Sequence, residues 1–257
     1  ATFNLTKETY ESQEIRSDYQ VASFSHGVRS VDGSINGELS PGTYSDFIAS
    51  AVAKDFVAGL TIASVTADIA AAVGLGTKAF TVTRSTGSWI TNGVRVGMLV
   101  QFTGATKPEN NTNNVLVIGV SALVLTVQVL SDTMLVAETA ATLAVAQPGK
   151  QTWAPLTGHT DDSYTFEEWY SDIAQSEVYT GNKVGSVAMQ LPSTGLVTCD
   201  ITFMGKNLQQ DGTVAYFTTP TAANTEGIFA AVSGAVVVNG APRALITSAD
   251  FTIDRGL

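Results

Sequence analysis

The hydrophobic pattern of the chain changes its period within residues 28–56. In the first half, Val31, Ile35 and Leu39 share one parity, and the other parity is polar from residue 30 to residue 38. Since successive strand residues point to opposite faces, this pattern predicts a β-strand with one face for a core and one polar, partly acidic face. In the second half the apolar positions recur at helical spacing, which predicts one short amphipathic helix over residues 44–56.

Residues 196–204 repeat the alternation of the first strand. One parity is apolar and includes the single cysteine, Cys199, which we expect to be a buried structural thiol. The other parity is polar. The same theme of an apolar face paired with a Ser/Thr/Asp face predicts further strands over residues 164–170, 184–191, 227–238 and 243–254.

Short strand patterns separated by turn residues fill residues 77–147. They predict an inserted small all-β domain, a barrel or a sandwich, over residues 67–149. The flanking segments, residues 1–66 and 150–257, are predicted to form the main domain, which is therefore discontinuous. Residues 1–27 are polar and irregular in pattern, and we interpret them either as a solvated or extended arm or as an arm that reaches a neighbouring subunit. The predicted fold class is mainly β: two packed antiparallel sheets with one flanking α-helix, plus the inserted domain.

Composition narrows the class of protein further. The chain has 257 residues, of which 44% are hydrophobic and only 14% charged, and its net charge is −10. A surface poor in charge suits a chain that covers itself with further copies, because interface cores are depleted in charged residues. A negatively charged chain does not bind nucleic acid tightly, since affinity for nucleic acid comes from Lys and Arg side chains that neutralise phosphates. We therefore expect no tight DNA binding, although the protein could still surround DNA. No signal peptide or membrane span is predicted.

The sequence shows no motif typical of an enzyme active site or a metal site. The two histidines, His26 and His159, have no metal-ligand spacing, and the chain has no CxxC motif. Glu167 and Glu168 are adjacent carboxylates, but adjacent strand residues point to opposite faces and cannot converge on one glycosidic bond. We expect no catalytic residue, no metal ion and no cofactor. The three tryptophans are interpreted as core or interface anchors, with a sugar-binding platform as the alternative.

Three stretches give the chain a family resemblance: residues 14–20 (EIRSDYQ), residues 33–40 (GSINGELS) and the predicted helix. Together they resemble the major tail tube protein of long-tailed bacteriophages. The inserted domain, from Phe80 through Trp89 to Gly97, is similar to the β-domain that some of these proteins carry. The resemblance covers most of the chain, and the members of that family have no catalytic motif.

The resemblance implies a structural virion protein whose subunits close into hexameric rings. Stacked head to tail, the rings would form a non-contractile tail tube through which DNA is ejected. The implied partners are further copies of the chain, the tail terminator and baseplate or tip proteins, and the tape measure protein followed by DNA in the lumen. The implied location is the virion tail, after assembly from subunits in the host cytoplasm. We expect residues 1–27 to take part in stacking and the inserted domain to lie on the tube exterior.

A tube lumen needs a sheet with a wet inner face, and the two alternating strands have that pattern. Our candidates for the lumen surface are the polar residues Asp32, Ser34, Asn36, Glu38, Asp200 and Thr202. The alternative is that this face is simply the outer surface of a sheet. At the level of function, the alternatives are another virion or cell-surface β-module, such as a connector, decoration or adhesion protein, and an all-β carbohydrate-active enzyme using the acidic pairs.

Overall fold

The structure of the chain is a computed structural model, and it describes residues 1–14, 17, 23–230, 237–238, 241–242 and 248–256. The predicted mainly-β fold with one α-helix is confirmed for these residues. The elements in chain order are β1 (Thr2–Glu11), β2 (Phe24–Glu38), α1 (Ser45–Val52), β3 (Val57–Ala58), β4 (Thr61–Ala71), β5 (Ala79–Arg84), β6 (Leu99–Thr103), β7 (Asn114–Val120), β8 (Val124–Val129), β9 (Glu138–Ala146), β10 (Lys150–Gln151), β11 (Tyr164–Tyr170), β12 (Gln175–Pro192), β13 (Thr198–Gly205), β14 (Asn207–Gly212), β15 (Val237–Val238), β16 (Ala241–Pro242) and β17 (Ser248–Asp254).

The chain divides into two compact units. Unit 1 contains β1, β2, α1, β11 to β14 and β17, and unit 2 contains β3 to β10, β15 and β16. β4 runs across the predicted boundary between residues 66 and 67, because the alanine-rich stretch continues the strand as far as Ala71. The one α-helix in the described part of the chain, α1, has eight residues, and no membrane-spanning helix is found there.

Unit 1 is built from antiparallel strands in the order β1-β2-β13-β12-β11, with β14 and β17 also paired to β12. The long strand β12 serves two sheets. Residues 175–182 pair with β11 and β14, and residues 183–192 pair with β13 and β17. Gly181, with a φ of 68°, lies where the strand passes from one sheet to the other. This positive φ suits glycine, which has no Cβ to clash.

A cluster of aromatic rings fills the space between the two sheets of unit 1. Phe3 on β1 is 9% exposed and stacks on Phe166 at 4.9 Å and on Tyr179 at 5.1 Å between ring centroids. Phe203 on β13 meets Phe166 edge to face at 4.8 Å. Rings from β1, β11, β12 and β13 therefore bring both sheets onto one core.

The place of β1 corrects one prediction. Residues 1–27 were expected to form an irregular arm, but Thr2–Glu11 is a ten-residue strand paired with β2. The prediction was wrong for these residues because only two apolar side chains, Phe3 and Leu5, point inward from β1. Two apolar positions are too few to show the alternation that predicts a strand. The family-like stretch 14–20 lies almost wholly outside the described residues, as do parts of the strands predicted over 227–238 and 243–254.

Gly33 makes room for the central ring of this core. A Cβ built on Gly33 would overlap the Phe3 ring, and one on Gly37 would overlap the Tyr44 hydroxyl. Both glycines point towards the core from β2. The hydrophobic pattern of the strand does not explain why glycine, rather than a larger apolar residue, occupies these two positions. Glycine at these two positions lets larger side chains from other elements pass over the strand.

We expect Gly33→Ala to lower the free energy of unfolding of unit 1 by about 1–3 kcal/mol, because the Phe3 ring has to move within a packed core. Denaturant titration followed by circular dichroism would measure the change. Gly227→Ala is the matched control, since its Cβ would meet no atom within 4 Å and its effect should stay below about 0.5 kcal/mol. Equal losses in the two variants would show that the proximity of Phe3 is not the cause.

The helix α1 packs its apolar face on this core. Phe47 contacts Phe203 edge to face at 5.3 Å and Tyr164 at 5.0 Å, and Ala49, Ser50 and Ala51 are buried. The helix is shorter than the predicted 44–56, because Ala53 adopts the left-handed conformation (φ 59°) and its N–H turns back to the carbonyl of Ser50. Apolar spacing continues past that point and so could not mark the end.

Unit 2 is dominated by a closed six-stranded barrel in the order β4-β5-β8-β7-β6-β9. Its interior is filled by aliphatic side chains with Trp89 and Phe102, both fully buried. The Trp89 indole N–H donates to the carbonyl of Leu123 at 3.0 Å, and the Arg84 guanidinium lies 4.7 Å from the indole ring. Of the two interpretations for Trp89, the structure therefore favours a core anchor over a sugar platform.

Candidate functional site

Unit 1 presents one continuous polar surface, which we call the polar face. It is formed by the even-numbered positions among residues 30–38 of β2, 198–204 of β13, 186–190 of β12 and 250–254 of β17. Register places its residues in rows across the four strands. The rows are Ser34–Thr202–Ser186–Asp254, Asn36–Asp200–Ala188–Thr252 and Glu38–Thr198–Gln190–Asp250. The opposite parity of the same strands carries Val31, Val187, Ile201 and Phe203, all buried. The polar face is therefore the reverse side of a packed sheet.

The structure brings all six predicted lumen residues together. Asp32, Ser34, Asn36 and Glu38 lie along β2, and Asp200 and Thr202 lie beside them on β13. In the single chain, Ser34 is half-buried and the other five are exposed. That this surface faces the lumen of an assembled tube stays a prediction.

The predicted set of lumen residues missed six polar members of the polar face. They are Ser186, Gln190, Thr198, Asp250, Thr252 and Asp254. The alternation of residues 250–254 was visible in the sequence, but nothing in it showed that β17 pairs with β12 and so extends the same surface. The polar face is consequently wider and more acidic than predicted.

The polar face is negative. Asp32, Glu38, Asp200, Asp250 and Asp254 contribute carboxylates, and each is exposed. Lys183, in register with Met204 and thus on the same face, is bound to Asp161 at 2.6 Å. A mobile polyanion passing this surface would meet repulsion within the screening distance of about 8 Å at physiological salt.

Hydroxyl and amide groups fill the spaces between the carboxylates. The Ser186 and Thr202 hydroxyls are hydrogen-bonded at 2.7 Å, and the Ser186 N–H also donates to the Thr202 hydroxyl at 2.9 Å. A shallow open depression of roughly 400 Å³ lies between Asn36, Glu38, Gln190, Thr198 and Asp200. Its lining mixes polar side chains with Gly37 and the buried Cys199, and it is open to solvent, unlike the enclosed clefts that bind small molecules. The surface is suited to being wetted rather than to holding a ligand.

An ion-pair network fixes the C-terminal strand beside the polar face. Asp161 binds Lys183 at 2.6 Å through one carboxylate oxygen and Arg255 at 2.8 Å through the other. The hydrogen bond from Lys183, together with the charges of both cations, lowers the pKa of the Asp161 carboxyl despite some desolvation. The contact joins the residues next to β17 to β12 and so keeps the two strands in register.

The adjacent carboxylates on β11 have separate structural partners. Glu167 accepts the Ser176 hydroxyl at 2.7 Å and the backbone N–H groups of Tyr216 and Phe217 at 2.6 and 2.9 Å. Burial of the carboxyl raises its pKa, but the hydrogen bonds outweigh burial, and the pKa of Glu167 is lowered. Glu168 instead accepts the Tyr170 hydroxyl. The two carboxylates therefore do not form a catalytic pair.

We expect Glu167→Gln to raise the hydrogen-exchange rates of the Tyr216 and Phe217 amides about tenfold or more, because each loses a bond to a charged acceptor. In the wild type, the folded-state pKa is lowered, so this stabilisation is present above the ordinary carboxyl pKa and is lost as pH falls through the folded-state value. Exchange measured from neutral to acidic pH and corrected for intrinsic rates would follow both effects. Glu168→Gln is the control and should leave the two amides protected.

The structure places the single cysteine in the core and two of the three tryptophans on the surface. Cys199 is buried on the inward face of β13, and burial raises the pKa of its thiol, as expected for an inert cysteine. Within the described part of the chain, no group of three His, Cys, Asp or Glu side chains could hold a metal ion. Trp153 is half exposed beneath Lys54, whose ammonium lies 5.6 Å from the ring, and Trp169 is also exposed.

Comparison with known proteins gives one finding. A family model described as phage tail tube protein matches residues 1–257, the whole chain. No curated protein matches the chain.

Proposed function

We infer that this chain, which belongs to the phage tail tube protein family, closes with further copies of itself into six-membered rings that stack into a tail tube. As a member of that family, the protein is a structural component of the phage tail and not an enzyme. The family implies self-assembly together with other tail proteins. The proposal has three further parts: six-fold rings, a bore that conducts DNA, and contacts with the terminator, tip and tape measure proteins.

The observation that carries the proposal is the sheet of unit 1, with a core on one side and the polar face on the other. Strands joined side by side between copies would turn this sheet into a closed barrel, with the polar face inward. Such a bore would be lined by hydroxyls, amides and carboxylates. DNA would then pass without being held, because binding needs cations at the phosphates.

The edges of the sheet support closure between copies. Among the described residues, β1 pairs only with β2, and β17 pairs only with β12, so each leaves one side of its backbone unpaired. Phe251 on β17 has the inward parity, yet it is 55% exposed, and none of the strands that the structure describes pairs with β17 beyond it. Open edges invite pairing, and pairing with a second copy would satisfy the backbone groups and bury this ring.

Electron microscopy of the purified chain at several concentrations would test the proposed function. We expect hollow tubes or six-fold rings of uniform diameter that become more frequent as the concentration rises. Particles that stay monomeric at every concentration would contradict self-assembly by this chain alone. Rings with another number of subunits would contradict the six-fold part of the proposal.

A further inference from the structure

Two positive side chains face each other on the first two strands of unit 1. Lys7 on β1 is the register partner of Arg29 on β2, so the two side chains lie next to each other on one face of the sheet. Arg29 Nη1 donates a hydrogen bond to Asn207 Oδ1 at 3.2 Å, and Lys206, next in sequence, adds a third exposed cation. In the described part of the chain, none of the three cations forms an ion pair. We call Lys7 and Arg29 the basic pair.

Two negative side chains face each other in the same manner on another pair of strands. Glu168 on β11 is the register partner of Glu177 on β12, and we call these residues the acidic pair. The Tyr170 hydroxyl donates to Glu168 at 3.1 Å, and the Tyr179 hydroxyl donates to Glu177 at 2.9 Å. These donors are neutral and leave both charges in place. The hydrogen bond to Glu168 and the charges of both carboxylates raise the pKa of Tyr170.

Neither pair is explained by the stability of a single chain. Like charges directly opposite each other on neighbouring strands are destabilising. The chain has 13 Lys and Arg residues against 23 Asp and Glu residues, so cations are scarce. Elsewhere in unit 1, Lys183 and Arg255 are both paired with a carboxylate. Two unpaired cations placed side by side, and two carboxylates placed likewise, are complementary in sign, number and cross-strand spacing.

We propose that the basic pair of one copy binds the acidic pair of a neighbouring copy when the chain assembles. This contact rests on the proposed self-assembly, and it joins two different patches, so every copy contributes one patch to each of two neighbours. Each cation gains a carboxylate, and the repulsion within both pairs is relieved. DNA is the less suitable occupant, because Lys7 and Arg29 have the parity opposite to Ser30 and Asp32 and therefore lie off the polar face.

Charge reversal tests the contact. One variant carries Lys7→Glu with Arg29→Glu, and the other carries Glu168→Lys with Glu177→Lys. Each variant alone brings like charges together at every contact, so we expect the concentration needed for tube formation to rise about tenfold or more. In an equimolar mixture, alternating copies again bring opposite charges together at every contact, and assembly should return. Rescue by mixing cannot arise from a contact inside one chain.

The control variant carries Lys78→Glu with Lys150→Glu, two reversals in unit 2 that give the same net charge as the basic-pair variant. It should assemble like the wild type. Because each reversed pair remains a pair of like charges, the melting temperatures should stay within about 4 °C of the wild type. If a reversed variant does not fold, Lys7→Gln with Arg29→Gln serves instead and should weaken assembly less strongly.

Several results would overturn the proposal. Reversed variants that assemble as readily as the wild type, or a mixture that stays unassembled, would exclude the contact. Binding of a short DNA duplex by the wild type that is lost in the basic-pair variant would assign these cations to DNA instead. If the wild type forms no tubes at all, the proposed function fails. Sedimentation of the two variants, separately and mixed, would still decide whether the pairs bind between copies.

Discussion

Phe3→Ala should destabilise unit 1 by about 3–5 kcal/mol, enough to unfold a marginally stable domain. The ring stacks on Phe166 and Tyr179 and lies 6.0 Å from Phe203, so its removal leaves a cavity among three elements. Gly33 cannot fill that space, because it has no side chain. The loss should also free β1, whose inward contacts depend on Phe3 and Leu5.

Hydrogen exchange followed by mass spectrometry would locate this effect. Peptides from β1, β2 and β13 should exchange faster, while peptides from the barrel of unit 2 should be unchanged, since Phe3 has no part in the barrel core. Tyr10→Ala is the control, because that ring lies on the same strand and is 57% exposed. A uniform increase in both units, or an equal effect of Tyr10→Ala, would contradict the central place of Phe3.

Asp32→Lys combined with Glu38→Lys should convert a tube that releases DNA into one that holds it. Both carboxylates lie on the polar face of β2, which the proposed function places in the bore. In six proposed subunits, each ring would gain twelve lysines, and stacked rings would present them repeatedly along the duplex. Affinity should rise from undetectable to a Kd on the order of 1–100 μM at physiological salt and fall steeply as salt is added.

The measurement is DNA ejection from particles that carry the variant tube, with DNA retained in the tail as the readout. Asp55→Lys with Glu226→Lys is the control, because it makes the same change in net charge at two exposed residues that are not on the polar face. The control should eject DNA at the wild-type rate. Unchanged ejection by the polar-face variant would argue that this surface lies on the outside of the tube, the alternative left open by the sequence.

The acidic polar face and the unpaired edges of unit 1 are features of the same sheet, and the proposed tube needs both. A closed ring needs edges that pair with further copies, and a bore needs a wall that does not bind its cargo. Both requirements fall on one sheet, because β1 and β17 form the edges of the surface that Asp32, Asp200 and Asp254 make acidic. A mutation at an edge should therefore affect assembly, whereas one in the centre of the face should affect passage of DNA.

The sequence alone determined the faces of the strands. Alternation is a local property, so residues 30–38 and 196–204 disclosed their inward and outward positions without any knowledge of their neighbours. It also disclosed the class of fold, the helix near residue 44 and the burial of Cys199. The lumen candidates Asp32 to Glu38, with Asp200 and Thr202, followed from the same alternation.

Only the tertiary structure decided which strands lie side by side. β12 pairs with four strands that are distant from one another in the chain, and no local pattern encodes those partners. The pairing of β17 with β12 adds Asp250 and Asp254 to the polar face. The pairing of β1 with β2 makes residues 2–11 a strand of the sheet and places Lys7 opposite Arg29. The physical reason is that a side chain's face depends on its own backbone, whereas its neighbours depend on long-range packing of the core, here around Phe3 and the glycine that admits its ring.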